Sequence, residues 1–110
     1  MKRYCLALDL KDDVALIAEY EEYHKHVWEE IIASIKDSGI SAMNIYKTGN
    51  RLFMIMEVDD YFSFDKKSGA DLANEKVQEW ETLMWKFQQP LPWAKQGEKW
   101  ILMKEIFSLK

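Results

Sequence analysis

Residues 41–59 read SAMNIYKTGNRLFMIMEVD. Ser41 to Lys47 and Arg51 to Asp59 are strand-like runs on either side of Thr48-Gly49-Asn50. A short glycine-containing turn between two such runs is a hairpin signal. The second run is apolar on both faces, with Leu52, Met54, Met56 and Val58 on one and Phe53 and Ile55 on the other. It is therefore expected to be central and buried.

On the N-terminal side of the hairpin, apolar residues follow helical spacing from Val14 to about Asp37: Ile17, Tyr20, His24, Trp28, Ile31 and Ile35, with Val27 beside them. Asp12 or Asp13 can cap this helix, and Asp37-Ser38-Gly39 stops it, with glycine suited to the first residue past the end. Before it, Tyr4, Leu6, Leu8 and Leu10 alternate with Arg3, Cys5, Ala7 and Asp9, the period of a strand with one apolar face. On the C-terminal side, Phe62 to Gly69 reads as a loop. A second helix is expected from about Ala70 to Gln88, burying Leu72, Val77, Trp80, Leu83, Met84 and Phe87. Pro90-Leu91-Pro92 ends it, and a last strand is expected over about Lys99 to Leu109.

The order βαββαβ predicts an α+β, ferredoxin-like fold: a four-stranded antiparallel sheet with two helices on one face. The other face then lacks cover. A second copy of the chain is the expected cover, which predicts a homodimer and, for the pair, a dimeric α+β barrel.

A chain of 110 residues is one domain, residues 1–110. Apolar residues make up 48% and charged residues 31%, a balance that fits a folded chain and not a disordered one. Fifteen Lys and Arg stand against nineteen Asp and Glu, a net charge of −4. The basic residues are dispersed among acids, so no nucleic-acid partner is expected. No run approaches the roughly 20 apolar residues of a membrane span, and no leader-like apolar segment precedes the first strand. Cys5 is the single cysteine, which suits a reducing compartment. The cytoplasm is the expected location.

No phosphate-binding glycine loop, HExxH or CxxC is present, and neither a cofactor nor a metal is expected. His24 and His26 are two residues apart and point to different sides of a helix, a poor metal pair even with Glu22, Glu29 and Glu30 nearby. The distinctive feature is Tyr20, His24 and Trp28 at successive four-residue steps, close to one helix face. Imidazole moves protons near neutral pH, and Tyr and Trp offer flat surfaces with a polar tip. The same spacing also suits plain packing: His24 can be a core-edge histidine bonded to backbone, and Tyr20, Trp28 and Trp80 can be core aromatics.

Five segments, in order, resemble the L-rhamnose mutarotase family of small dimeric α+β barrel proteins, over nearly the whole chain. Glu19-Tyr20-x-x-x-His24-x-x-x-Trp28-x-Glu30 is similar to the family's E-Y-x-x-x-H-x-x-x-W-P-E signature. Gly39 falls at its helix-ending glycine. Asn50-Arg51-Leu52-Phe53-x-x-x-Glu57 resembles its third strand, Gln78-Glu79-Trp80 its Q-x-W helix motif, and Glu105-Ile106-Phe107-x-Leu109 its closing strand. By position, the resemblance implies that His24 is the catalytic acid, that Tyr20 contacts a sugar, and that Trp80 lines the substrate site. Trp28 is expected as a further wall.

The sequence departs from the family at sugar-facing positions. Glu81 stands where a second tryptophan usually follows Trp80. Met43 stands where strand two usually supplies a tyrosine, while Tyr46 keeps register with a nearby strand tyrosine. Glu29 replaces the proline after Trp28. Trp80, Glu81, Met43, Tyr46, Tyr20 and Trp28 are therefore the expected sugar contacts. The implied activity is interconversion of the α and β anomers of a 6-deoxyhexose, L-rhamnose or L-fucose, by acid/base ring opening and reclosure without cofactor. The same fold also serves cofactor-free monooxygenases and haem-degrading proteins, and a non-catalytic sugar-binding module is a further alternative.

Overall fold

The computed structural model describes residues 2–109. Strand β1 (Lys2–Leu10) is followed by helices α1 (Val14–Lys25) and α2 (Glu29–Asp37), then by β2 (Ile40–Thr48) and β3 (Arg51–Val58). Helices α3 (Phe64–Ala73) and α4 (Glu75–Trp85) come next, then the short strands β4 (Gln88–Gln89) and β5 (Ile101–Leu102). The sheet order is β2-β3-β1-β4, with β5 also on β1, and every pairing is antiparallel. This is the ferredoxin-like arrangement, and β3 is central as its two apolar faces require.

Register decides which residues face the helices. Leu8 lies opposite Leu52 and Leu6 opposite Met54, while Met43 and Ile45 of β2 lie opposite Met56 and Met54. Leu6, Leu8, Leu52, Met54 and Met56 are buried. With Tyr20, Ile31, Val77, Trp80, Met84 and Phe87 they form the core. On the other face, Cys5 pairs with Ile55, Ala7 with Phe53, and Tyr46 with Phe53. There the carboxylate of buried Asp9 accepts two bonds from Arg51, at 2.7 and 3.1 Å, and the Arg51 guanidinium lies 5.2 Å from the Trp93 ring centre. Among the described residues no helix is long and apolar enough to cross a membrane.

The expected boundaries of four segments are corrected. The helix expected over Val14–Asp37 is two helices, broken at His26–Trp28. Basic His24 and Lys25 end α1, and acidic Glu29 and Glu30 begin α2. Each pair opposes the partial charge of its own helix end, so the charges favour a break at this place. The Trp28 carbonyl takes the first bonds of α2, from Ile31 and Ile32. The apolar spacing runs on through the break because Val27 and Trp28 still pack on the core.

The expected loop at Phe62–Gly69 is mostly helix, and the second helix is divided. Ser63 caps α3 by accepting from the Lys66 N–H. Asn74 ends α3 and caps α4, its side chain accepting from the N–H groups of Lys76 and Val77 at 3.0 and 3.2 Å. Helix α3 has no buried residue, so it leaves no apolar period to read.

The long last strand shrinks to Ile101–Leu102, and the fourth position in the sheet is shared by β4 and β5. Leu102 lies opposite Leu6, and the Met103 N–H still bonds the Cys5 carbonyl at 2.7 Å. In that register β1 runs out near Lys2, so residues past about 106 have no strand to pair with. Ile106, Phe107 and Leu109 are largely exposed.

Candidate active site

Tyr20 reaches the core from α1 and is almost fully buried. Its ring meets Phe87 edge-on at 6.1 Å. Its hydroxyl accepts a bond from the side-chain amide of buried Gln88 at 3.1 Å. Burial pushes the phenol up to about 12, and the Gln88 bond only partly opposes this. Tyr20 thus stays protonated across the physiological range. With the Gln88 amide already donating to its oxygen, its own proton is left to give to another acceptor.

His24 sits one turn further along α1, half-buried. The Tyr20 and His24 rings are 4.3 Å apart and tilted by 35°. His24 Nδ1 lies 2.9 Å from the Tyr20 carbonyl oxygen. A carbonyl can only accept, so Nδ1 carries the hydrogen. Nε2 is then the ring nitrogen left for other chemistry. The backbone bond fixes both tautomer and ring orientation. The backbone-bonded core-edge histidine expected from the sequence is the geometry found, on a ring that also lines the cleft described below.

Trp80 of α4 meets His24 in a T-shaped ring contact, with centroids 5.8 Å apart and planes at 64°. Trp28 packs against Trp80 at 5.0 Å. An open cleft of about 910 Å³ lies between the helices and the sheet face. Tyr20, His24, Met43, Trp80 and Glu81 all line it, so five of the seven residues singled out from the sequence converge on one space.

Two do not. Tyr46 faces the opposite side of the sheet, beside Phe53, and is 56% exposed. Strand alternation requires this once Met43 and Ile45 face the cleft, because side chains one residue apart point to opposite faces. Trp28 packs against Trp80 and the core cluster and is not among the residues that line the cleft. The helix break places it at the start of α2, in the core cluster.

The cleft also holds residues that the sequence did not single out as site residues. Gln88 reaches Tyr20 from just past α4. The Gln78 side-chain amide donates to the Asp71 carbonyl at 2.9 Å and to a Glu81 carboxylate oxygen at 3.3 Å. Lys67 and Asp71 line the cleft from α3. The readable signals were the Gln78 of the Q-x-W segment and the four-residue spacing of Lys67 and Asp71, which has meaning only if 64–73 is helical. Among the described residues, no three His, Cys, Asp or Glu side chains gather to hold a metal ion.

The arrangement brings an imidazole, a neutral phenol donor, an indole and a carboxylate to one cleft, groups suited to acid/base chemistry on a small polyol. Comparison with known proteins agrees. The family model for L-rhamnose mutarotase matches residues 3–109. The chain is 43% identical to the L-fucose mutarotase of Xanthomonas campestris pv. campestris over 99% of its own length and 89% of that protein. Among solved structures, the L-rhamnose mutarotase of Formosa agariphila superposes with a TM-score of 0.74 at 23% identity, covering the whole of both chains. A dimeric ferredoxin-like protein from an uncultured marine organism gives a TM-score of 0.55 at 14% identity, over 98% of this chain and 91% of that one. These two likenesses are of fold. From the family match across nearly its full length, the chain belongs to the L-rhamnose mutarotase family.

Proposed function

We propose that this cleft interconverts the anomers of a 6-deoxyhexose, L-fucose ahead of L-rhamnose, with His24 as the acid/base group. The observation that carries the reading is the His24 geometry: Nδ1 tied to the Tyr20 carbonyl at 2.9 Å, on a ring that lines the cleft. The preference for L-fucose rests on the 43% identity to an L-fucose mutarotase and on Glu81 standing in place of a tryptophan.

Protonated at Nε2, His24 gives its proton to the ring oxygen as the bond from that oxygen to the anomeric carbon breaks. The anomeric hydroxyl gives its proton to water in the open cleft, and its oxygen becomes the aldehyde carbonyl oxygen. Rotation about the adjacent carbon–carbon bond presents the other face, and reclosure returns each proton. Positioned proton transfer of this kind is typically worth about 10²–10⁴-fold. Tyr20, held neutral by burial, donates to a sugar oxygen. Trp80 offers an apolar surface to the C–H-rich side of the ring. Glu81 accepts from a sugar hydroxyl, and Met43 leaves an apolar contact where a phenol would add a hydrogen bond.

The protein is further proposed to work as a cytoplasmic homodimer. Cys5, Ala7, Phe53, Ile55 and Tyr46 leave an apolar sheet face without helices over it, and Ile106, Phe107 and Leu109 extend exposed beyond β5. A second copy would cover both. NMR saturation transfer between anomers tests the activity, run separately on L-fucose, L-rhamnose and D-glucose. The expected order of rates is L-fucose, then L-rhamnose, with D-glucose slow. Absence of acceleration with every sugar would refute the proposal.

A further inference from the structure

Most charged pairs on this surface stand in water. Lys25–Glu22 is 67% and 66% exposed, and Lys76–Glu79 is 52% and 57% exposed. Lys67–Asp71 differs. It has the same kind of helical spacing, but its side chains are only 25% and 15% exposed, with the ammonium 2.6 Å from the carboxylate. It also sits on α3, a helix with no buried residue. A pair that served only to support an exposed helix would lie on the solvent side and contribute little. These two side chains instead turn toward the cleft, which both line.

The polar groups of the cleft fall into two sets. Tyr20, His24 and Gln88 form one, joined by the bonds already described. Lys67, Asp71, Gln78 and Glu81 form the other. Gln78 links the two helices of this second set by donating both to the Asp71 carbonyl and to Glu81. The rest of the lining is largely apolar, with Met43, Ile45, Met54 and Met56 among it. A 6-deoxyhexose presents matching chemistry: an anomeric centre that must exchange protons, an apolar methyl, and three further ring hydroxyls that need partners once water leaves.

We propose that Lys67 and Asp71 are specificity-determining residues that grip two adjacent ring hydroxyls of the sugar, remote from the anomeric centre. The ammonium donates to one hydroxyl oxygen while the carboxylate accepts from the neighbouring hydroxyl. The pair is already assembled in the protein, so little ordering is needed on binding. Gln78 holds Glu81 beside it for the remaining hydroxyl. This rests on the mutarotase reading of the cleft and adds to it the residues that select the sugar.

The test is the sugar-concentration dependence of anomer exchange on L-fucose, measured for the wild-type protein, Lys67→Met, Asp71→Asn and Lys76→Met, with thermal midpoints recorded alongside. Removing a charged partner of a substrate hydroxyl is expected to raise KM by about 10- to 100-fold. The value of kcat should change less than about threefold, because these groups are remote from the bond that breaks. Lys76→Met, outside the cleft, should match wild type. The double variant Lys67→Gln/Asp71→Asn keeps hydrogen-bonding groups without the ion pair and provides a second reading should either single variant fold poorly. An unchanged KM in any folded variant of the pair, with only a lowered thermal midpoint, would overturn the proposal and leave the mutarotase reading standing. Absence of exchange in the wild-type protein would overturn both.

Discussion

Replacing Tyr20 with phenylalanine should change stability in a way that depends on pH, and both size and sign follow from the buried Tyr20–Gln88 bond. The substitution keeps the ring and its contacts with Phe87 and His24 but deletes the hydroxyl that accepts from Gln88. Gln88 is itself buried. Leaving such a donor without its partner costs about 1–3 kcal/mol, so at pH 7 the variant should be less stable by that amount. At high pH the comparison shifts. Tyr20 has its folded pKa raised to about 12 against an ordinary value of 10.0. Between these limits the unfolded chain loses the phenolic proton while the folded chain keeps it, so wild-type stability falls as pH rises. A gap of two pH units corresponds to about 2–3 kcal/mol. The full contribution of neutral, buried Tyr20 is present below pH 10 and is lost on approaching pH 12. Tyr20→Phe has no proton to lose there. The stability difference between the two proteins should therefore shrink from pH 9 to pH 12, and can reverse. Urea unfolding followed by tryptophan fluorescence at pH 7, 9, 10, 11 and 12 measures it, with other titrating groups common to both proteins. A gap that stays constant across this range would refute the buried, protonated phenol.

Other consequences are equally open to measurement. Glu81→Gln should lower kcat/KM on L-fucose by about 3- to 10-fold, the scale of one weakened hydrogen bond, and reduce the ratio of L-fucose to L-rhamnose rates. Gly39→Ala should destabilise the fold by about 1–2 kcal/mol or more in chemical denaturation. Its backbone lies at φ +95°, and an added Cβ would fall 2.8 Å from an Asp59 carboxylate oxygen. Asn74→Ala removes the side chain that caps α4 with two N–H bonds, and should cost about 1 kcal/mol by the same assay. Ending the chain at Met103 removes exposed Ile106, Phe107 and Leu109, and sedimentation should show the proposed dimer weakened or lost.

The physics of each segment decides how much of this was legible in the sequence. The hairpin around Gly49 and the alternation of β1 declared themselves because one face of each strand is buried and side chains alternate. Tyr20 and His24 were legible because they lie on one continuous helix and share a face. The helix break before Trp28 was not legible, because Val27 and Trp28 still pack inward, so the apolar period survives the loss of the helix that it implied. Helix α3 gave no pattern because none of its apolar residues is buried, and its only local sign was the cap at Ser63. Lys67 and Asp71 were hidden with it. Tyr46 was taken from a family pattern against the plainer rule that Met43 and Ile45 place it on the far face. Gln88 could not be assigned, because its partner lies 68 residues away and only the fold brings the two together.

The central claim is that His24 transfers the proton. Its most direct test is the rate of anomer exchange in L-fucose against protein concentration at neutral pH, for the wild-type protein and His24→Ala, with unfolding curves showing both to be folded. The account predicts exchange that rises linearly with wild-type protein and falls by about 10²–10⁴-fold in the variant. A folded His24→Ala protein that exchanges anomers at the wild-type rate would contradict it.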